Sequence, residues 1–452
     1  MAILLTLLSG AAVVTAQTSP IQPNAFERFW LTTSNNTHAS STAVDANGGI
    51  HMAFAAYTES NGVYPVYYAY CAANCADDAS WTVTPIGNVG VGGRLAGLEL
   101  DTAGRPRLLW YQVVLLLEDG VNQYAECNSG CTNAQNWTIT TLTPFTREAT
   151  FAMDHQGHPR LIYTDFDVDH SGTYYGFCDT GCSNASNWSE VQITTEYRLY
   201  DFSLGFSPSG VVHLAYYMSG DPSLLAYAYC EANCDNPDNW YGPTVISNLG
   251  AYEAFSLDVT SQGMPRLAYY TGYLGSDNPE NDLLYYAWCD SDCWEAANWT
   301  VSDIGLPARY GLHVDLALDA QDRPHLAYYV DDISGSTYGL GYSACTAGCE
   351  GSSPNWEVEF VETSDELDAS NPVPLTGSCT LSVWLEVGHE PSLALDAAGQ
   401  PRVSYTAKHY QGGQCSIHED IRLVRFAMPG GSQPPPPPGG KFNLYLPLLN
   451  RP

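Results

Sequence analysis

Histidines, arginines and carboxylates gather just ahead of seven apolar segments of this 452-residue chain. They are His38, Arg94, Arg147 with Glu148, Arg198 with Asp201, Glu253, His313 with Asp315, and His389 with Glu390. Guanidinium groups clamp carboxylates and sulfates through paired hydrogen bonds, and three of only fourteen arginines fall in this set. A histidine beside a carboxylate can carry a proton at neutral pH. Tyr310, His409 and His418 join them as candidate ligand contacts. The competing reading makes the same residues salt bridges that tie neighbouring segments together.

Two further sets have a chemical reading. Asp165, Asp167 and Asp169, followed by Gly172, place alternate carboxylates where they could turn toward one Ca²⁺, although the full twelve-residue calcium loop is missing and a solvated acidic turn is the alternative. His51, Arg107, Arg160, His213, Arg266, His325 and Arg402 recur at one fixed offset. A residue present in every repeat cannot by itself build an asymmetric site, so this ring reads as structural donors to turn carboxylates or carbonyls.

That offset belongs to a unit that recurs seven times. Each copy has an apolar strand, a tight turn and a second apolar strand, as in residues 100 to 110, Leu-Asp-Thr-Ala-Gly-Arg-Pro-Arg-Leu-Leu-Trp. The turns start at Asp45, Asp101, Asp154, Ser207, Thr260, Asp319 and Asp396, and an aromatic stands nine positions on: Phe54, Trp110, Tyr163, Tyr216, Tyr269, Tyr328 and Tyr405. A third apolar stretch leads into a Cys-x3-Cys turn, and a tryptophan then opens a fourth. Four short strands per repeat, seven times over, predict an all-β chain folded as a seven-bladed β-propeller.

There are six cysteine turns for seven repeats: Cys71 with Cys75, Cys127 with Cys131, Cys178 with Cys182, Cys230 with Cys234, Cys289 with Cys293, and Cys345 with Cys349. Residues 421 to 427 read as a third strand with nothing after it, and residues 26 to 33 as a fourth strand with nothing before it. The N-terminal strand is therefore expected to complete blade seven, which removes an exposed sheet edge. Each cysteine pair lies in a different blade and brings no recurring histidine, so disulfides are expected rather than zinc. Cys379 and Cys415 are expected to form a seventh disulfide and to hold a lid over the channel mouth near His389, Glu390, His409, His418, His313 and His38.

Antiparallel order puts the strand 1–2 turns and the cysteine turns on one rim, which hardly varies. The loops of the opposite rim differ in length, from 15 to 20 residues between tryptophan and next turn start in six cases to 40 before blade seven. Binding residues concentrate in loops carried by a rigid scaffold, so the variable rim and channel mouth form the candidate site.

Composition bounds the partners. Forty-nine acidic against 16 basic residues give a net charge of −33, which disfavours nucleic acid and anionic membranes. Residues 1–16 read as a secretory signal, 17–428 as the propeller, 429–440 as a Gly/Pro-rich linker and 441–452 as an apolar tail suited to surface attachment. No later segment approaches a membrane span, and a secreted or cell-surface monomer is expected.

The Leu-Asp-x-x-Gly-x-Pro-(Arg/His)-Leu-x-Tyr repeats resemble those of secreted bacterial propellers loosely grouped with sialidase-like repeat families. The resemblance implies the fold. The sialidase Asp-box, Ser-x-Asp-x-Gly-x-Thr-Trp, is matched at none of the tryptophan turns, and no Arg-Ile-Pro occurs. The expected function is thus non-catalytic binding of a glycan or an extracellular protein at the variable rim. The alternative is a polysaccharide lyase or glycoside hydrolase using the same residues, with Arg on a uronate carboxylate and His or Tyr taking the α-proton.

Overall fold

A computed structural model describes residues 26–31, 37–56, 64–90, 93–113, 120–142, 147, 149–166, 169–195, 199–219, 224–247, 255–271, 283–306, 310–331, 338–370, 377–415 and 421–430. The signal and tail readings fall outside them, as does the linker reading beyond residue 430. Among the described residues no helix is long and apolar enough to cross a membrane.

The described strands form seven four-stranded antiparallel sheets in a ring. Their innermost strands are Thr37–Val44, Arg94–Leu100, Ala149–Met153, Leu199–Phe206, Phe255–Val259, Tyr310–Leu318 and Leu381–Leu395. Second strands such as Ile50–Ala56, Pro159–Asp165, Pro265–Thr271 and Pro324–Val330 are buried along their whole length. A blade packs a neighbour on each face, so these strands are buried on both sides instead of alternating between buried and exposed.

The turn residue caps its own turn. Asp45 Oδ1 accepts from the amides of Asn47 and Gly49 at 2.8 and 2.9 Å, and Ser207 and Thr260 do the same through their hydroxyls with Val211 and Met264. The recurring His or Arg then braces that turn against the cysteine hairpin. Arg107 donates to Asp101 at 2.7 Å and to the Cys127 carbonyl at 2.9 Å, and Arg160 and Arg266 reach the Cys178 and Cys289 carbonyls. Arg402 pairs with Asp396 at 2.7 Å, while His51, His213 and His325 lie against the hydroxyls of Tyr68, Tyr227 and Tyr342. The ring is structural.

Neighbouring blades meet through the hairpin tryptophan. Its indole N–H donates to the second cysteine's carbonyl in five hairpins, at Cys75, Cys131, Cys182, Cys234 and Cys293. Its ring meets the preceding blade's third-strand tyrosine edge-on, at centroid distances of 5.0 to 5.8 Å for Tyr68–Trp137, Tyr124–Trp188, Tyr175–Trp240, Tyr227–Trp299 and Tyr286–Trp356. Phe26–Trp30 pairs with Ile421–Pro429, so the N-terminal strand does complete blade seven. Phe26 takes the missing tryptophan's place against Tyr342 at 5.8 Å, and Phe426 takes the tyrosine's place against Trp81 at 5.2 Å.

All seven expected disulfides are present. Six close the hairpins, joining Cys71 to Cys75, Cys127 to Cys131, Cys178 to Cys182, Cys230 to Cys234, Cys289 to Cys293 and Cys345 to Cys349 at Cα separations of 5.7 to 5.8 Å. These cysteines are therefore bonded to each other within each hairpin and serve no site. The seventh disulfide joins Cys379 to Cys415 with a Cα separation of 4.4 Å. It staples the end of an extended pair in which Leu381–Leu385 runs beside Lys408–Gly412. The pair is buttressed, not draped as a free lid. Trp384 lies 4.9 Å from Trp30 of the outermost strand, and its amide donates to Asp368 of the helix Ser364–Ser370. The extension thereby packs along the seam between blades six and seven.

Candidate functional site at the variable rim

The innermost strands carry a belt of side chains four residues before each turn: Ser41, Gly97, Thr150, Ser203, Ser256, Asp315 and Ser392. Six of them bond to the next blade's inner backbone, Thr150 by donating to the Phe202 carbonyl at 3.2 Å. Ser41 reaches the Leu98 amide at 3.0 Å, Ser203 that of Leu257 at 2.9 Å, Ser256 that of Leu316 at 3.1 Å, Asp315 that of Leu393 at 2.7 Å and Ser392 that of Thr42 at 3.0 Å. Asp315, expected at the site, is thus a clasp: its carboxylate also accepts from Ser256 Oγ and its neighbour's amide. The constant offset of these hydroxyls was visible in the sequence, but the interblade bond it makes was not.

Two residues after that belt position stand Ala43, Glu99, Ala152, Gly205, Asp258, Ala317 and Ala394, which face the central cavity of about 700 Å³. Small side chains in five blades leave it open. Asp258 accepts from the Leu318 and Val259 amides. Glu99 is pushed up to about 8 by burial first, then by the nearby Asp315 and Asp258 carboxylates, and is a neutral acid below that pH.

At the variable rim the inner strands bulge. Register shifts interrupt pairing at His38/Ser40, Leu95/Gly97, Tyr200/Phe202, Leu312/Val314 and His389/Ser392. Asp201, His313, Glu386 and Glu390 have φ of 45°, 49°, 49° and 47°. Among the described residues the other left-handed non-glycine positions, Asn74, Asn233, Asp292 and Asp322, sit in constant-rim turns where other repeats have glycine. Backbone held this way in a non-glycine residue costs roughly 1–3 kcal/mol and is concentrated at functional sites. Bulges re-aim side chains, and three of the residues they carry here were candidates on sequence grounds.

Blades six and seven bring those candidates together. The rings of His313 and His389 lie 4.0 Å apart, and Tyr329 meets His389 edge-on at 5.5 Å. Lys408 and Arg422 reach Glu386 at 3.3 and 4.0 Å. Burial lowers the His389 pKa, outweighing the opposing pull of Glu390 and Glu386, so its imidazole is neutral at neutral pH. Tyr329 is pushed well above its ordinary range by burial, then by Asp331 and Glu386, and stays protonated. Tyr329 shares its offset with Tyr111, Tyr217 and Tyr270 and so looks like repeat packing, while Glu386, Lys408 and Arg422 carry no repeat signature, which is why sequence reasoning passed over them.

The remaining candidates are spread around the mouth. Arg94 and Asp201 are exposed on blades two and four. Arg147 pairs with the buried carboxylate of Asp165 at 3.3 Å, so Asp165 serves an ion pair across blade three while Asp169 stands exposed in the following turn. Among the described residues no group of three or more His, Cys, Asp or Glu converges to hold a metal ion. His409 is buried within the extension, 2.9 Å from Ser382 Oγ and edge-on to Trp384, and belongs to packing there. Glu148, Asp167, Arg198, Glu253 and His418 lie outside the described residues, as do the side chains of His38 and Tyr310.

No sequence-family model matches the chain, and no curated protein matches it in sequence. Solved structures do. An ulvan lyase of polysaccharide lyase family 25, bound to a -[GlcA(1-4)Rha3S]- fragment, superposes with a TM-score of 0.53 at 12% identity, covering 85% of this chain and 95% of that one. The NanB sialidase of Streptococcus pneumoniae gives 0.43 at 12% identity over 91% and 71%. The fucose-recognising lectin of Aleuria aurantia, a six-bladed propeller, gives 0.41 at 12% identity over 89% and 97%. At these identities the likeness is one of fold: the chain is a seven-bladed β-propeller, and its chemistry rests on its own residues.

Proposed function

We propose that the protein is an extracellular glycan-binding propeller whose ligand seats at the variable-rim mouth between blades six and seven. The observation that carries this reading is the His313–His389 pair, 4.0 Å apart, with His313 itself on left-handed backbone and Glu390 beside the pair in the same conformation. The neutral His389 imidazole both donates and accepts, Glu390 accepts, and Lys408 and Arg422 donate, which suits a hydroxyl-rich ligand bearing a carboxylate or sulfate. The ulvan lyase shows a propeller of related fold holding a glucuronate-bearing fragment. Seven disulfides among fourteen cysteines, with no free thiol, suit an oxidising compartment.

One observation favours a second, catalytic reading. A neutral His389 next to a protonated Tyr329 pairs a base with an acid, the requirement of a β-eliminating lyase. His389 would take the proton from the carbon α to a uronate carboxylate. A carbon–carbon double bond forms as the glycosidic C–O bond breaks, and Tyr329 protonates the departing oxygen.

Retention in gels containing neutral and acidic polysaccharides, together with ultraviolet absorbance for an unsaturated uronate, tests both readings. Binding without absorbance that is lost in H389A and H313A supports the lectin-like reading, and absorbance lost in H389A and Y329F supports the lyase. Retention by acidic polysaccharide that survives in both histidine variants contradicts the site.

A further inference from the structure

Every cysteine hairpin but one places a polar or small residue just past its second cysteine: Ala76, Thr132, Ser183, Asp235 and Glu350. Blade five has Trp294 there, 46% exposed. The first residue after the hairpin tryptophan is Thr82, Thr138, Ser189, Thr300 or Glu357 in five blades, and in blade four it is Tyr241, 50% exposed. These two departures from the repeat are neighbours in space. Tyr229, buried between them, lies 5.0 Å from Tyr241 with ring planes 18° apart, and 6.2 Å from Trp294 with planes 25° apart.

The scaffold holds this row in place. A threonine of the outer strand anchors the next blade's cysteine loop at three seams: Thr84 donates to the Thr132 carbonyl, Thr140 to that of Ser183 and Thr244 to that of Trp294, at 2.8, 2.7 and 3.0 Å. Thr244 keeps that bond although Gly242 and Pro243 add a residue to the strand and shift its register. Packing does not need the exposed rings, since five other hairpins close without them. Exposed Glu231 and Asp292 flank the row, and their charges raise the Tyr229 hydroxyl's pKa after burial does.

We propose that Tyr241 and Trp294 form a second carbohydrate-binding site, on the constant rim at the seam of blades four and five, for the apolar face of neutral pyranose units. The negative face of an aromatic ring attracts the C–H edge of a sugar, the exposed Tyr241 and Trp294 rings stand in one stacked row with Tyr229 between them, and the flanking carboxylates accept hydroxyl hydrogen bonds. The same carboxylates, in a chain of net charge −33, repel uronates and sulfates. The site is separate from the mouth of blades six and seven and holds whether or not that mouth binds.

Affinity electrophoresis in gels containing β-glucan, mannan, xylan or polygalacturonate tests it. The Y241T/W294T variant takes residues that the sister hairpins use, and W294T alone serves as a milder second variant. Wild type and H389A should be retarded alike by at least one neutral polysaccharide, with affinity at least 10-fold weaker in Y241T/W294T and clearly weaker in W294T. Polygalacturonate should not distinguish wild type from Y241T/W294T. Three results would overturn the proposal: no retardation of wild type by any of the neutral polymers, equal retardation of wild type and both variants, or sedimentation showing that the rings instead pair two copies of the chain.

Discussion

Removing Glu362 should unlatch the ring. Its carboxylate is buried and accepts from Arg425 at 2.5 and 2.6 Å and from the Tyr405 hydroxyl at 2.6 Å, and Arg28 of the N-terminal strand lies 3.9 Å away. Arg425 is itself buried, with its guanidinium 4.1 Å over the Trp30 ring. One carboxylate of blade six therefore holds the second, third and outermost strands of blade seven. Glu362→Ala leaves a buried guanidinium unpaired, a loss of about 3–5 kcal/mol, and orphans a buried hydroxyl, about 1–3 kcal/mol where it is independent. Because the two share one network they do not add fully, and about 4 kcal/mol is expected. At about 2.1 cal/mol/K per residue, a propeller of roughly 400 residues has an unfolding entropy near 0.8 kcal/mol/K, so Tm should fall by about 5 °C. Calorimetry of Glu362→Ala beside Glu362→Met/Arg425→Met measures this, and the apolar pair should recover most of the loss. A Tm within 1 °C of the parent in Glu362→Ala, or a double variant no better than the single, would refute the reasoning.

Glu99→Gln should stabilise the protein in a pH-dependent way. With a folded pKa of about 8 against an ordinary 4.5, Glu99 keeps its proton in the native state while the unfolded chain releases it, so wild-type stability falls as pH rises between those values. The Tm gain of Glu99→Gln should be larger at pH 8 than at pH 5, and an equal gain at both would contradict the channel's effect on this acid. Breaking Cys379–Cys415, which closes a 36-residue separation, should cost about 4 kcal/mol, against about 2 kcal/mol for Cys71–Cys75 with its separation of 4; denaturant midpoints of the two double-alanine variants compare them. Trp137→Ala removes the edge-on contact to Tyr68 and the bond to the Cys131 carbonyl, and should cost about 3–5 kcal/mol in the same assay.

The architecture was legible because repetition makes each residue's role testable against six sister copies. The turn starts, the His/Arg ring and the cysteine pairs gave blade number, strand order and rim assignment, and the absent seventh hairpin announced closure by the N-terminal strand. What repetition could not show was contact between repeats. The hydroxyl belt from Ser41 to Ser392 reads as an unremarkable polar position until the next blade's amide lies beneath it, and for that reason Asp315 looked like a site residue instead of a clasp. His409 misled in the same way, since a histidine in an insertion gives no sign of facing Trp384. The mouth was half legible: His313, His389 and Glu390 stood out as polar departures from the repeat, whereas Tyr329, Lys408 and Arg422 lie on strands that look ordinary and reach the mouth only through the bulged inner strands and blade seven's extension.

A crystal structure of the protein with an oligosaccharide cut from whichever polysaccharide retards it most at the mouth tests the central claim most directly. The account predicts a sugar at the variable rim between blades six and seven, with an oxygen within about 3.2 Å of a His313 or His389 ring nitrogen. A saccharide bound on another part of the variable rim, with the histidine pair untouched, would contradict it.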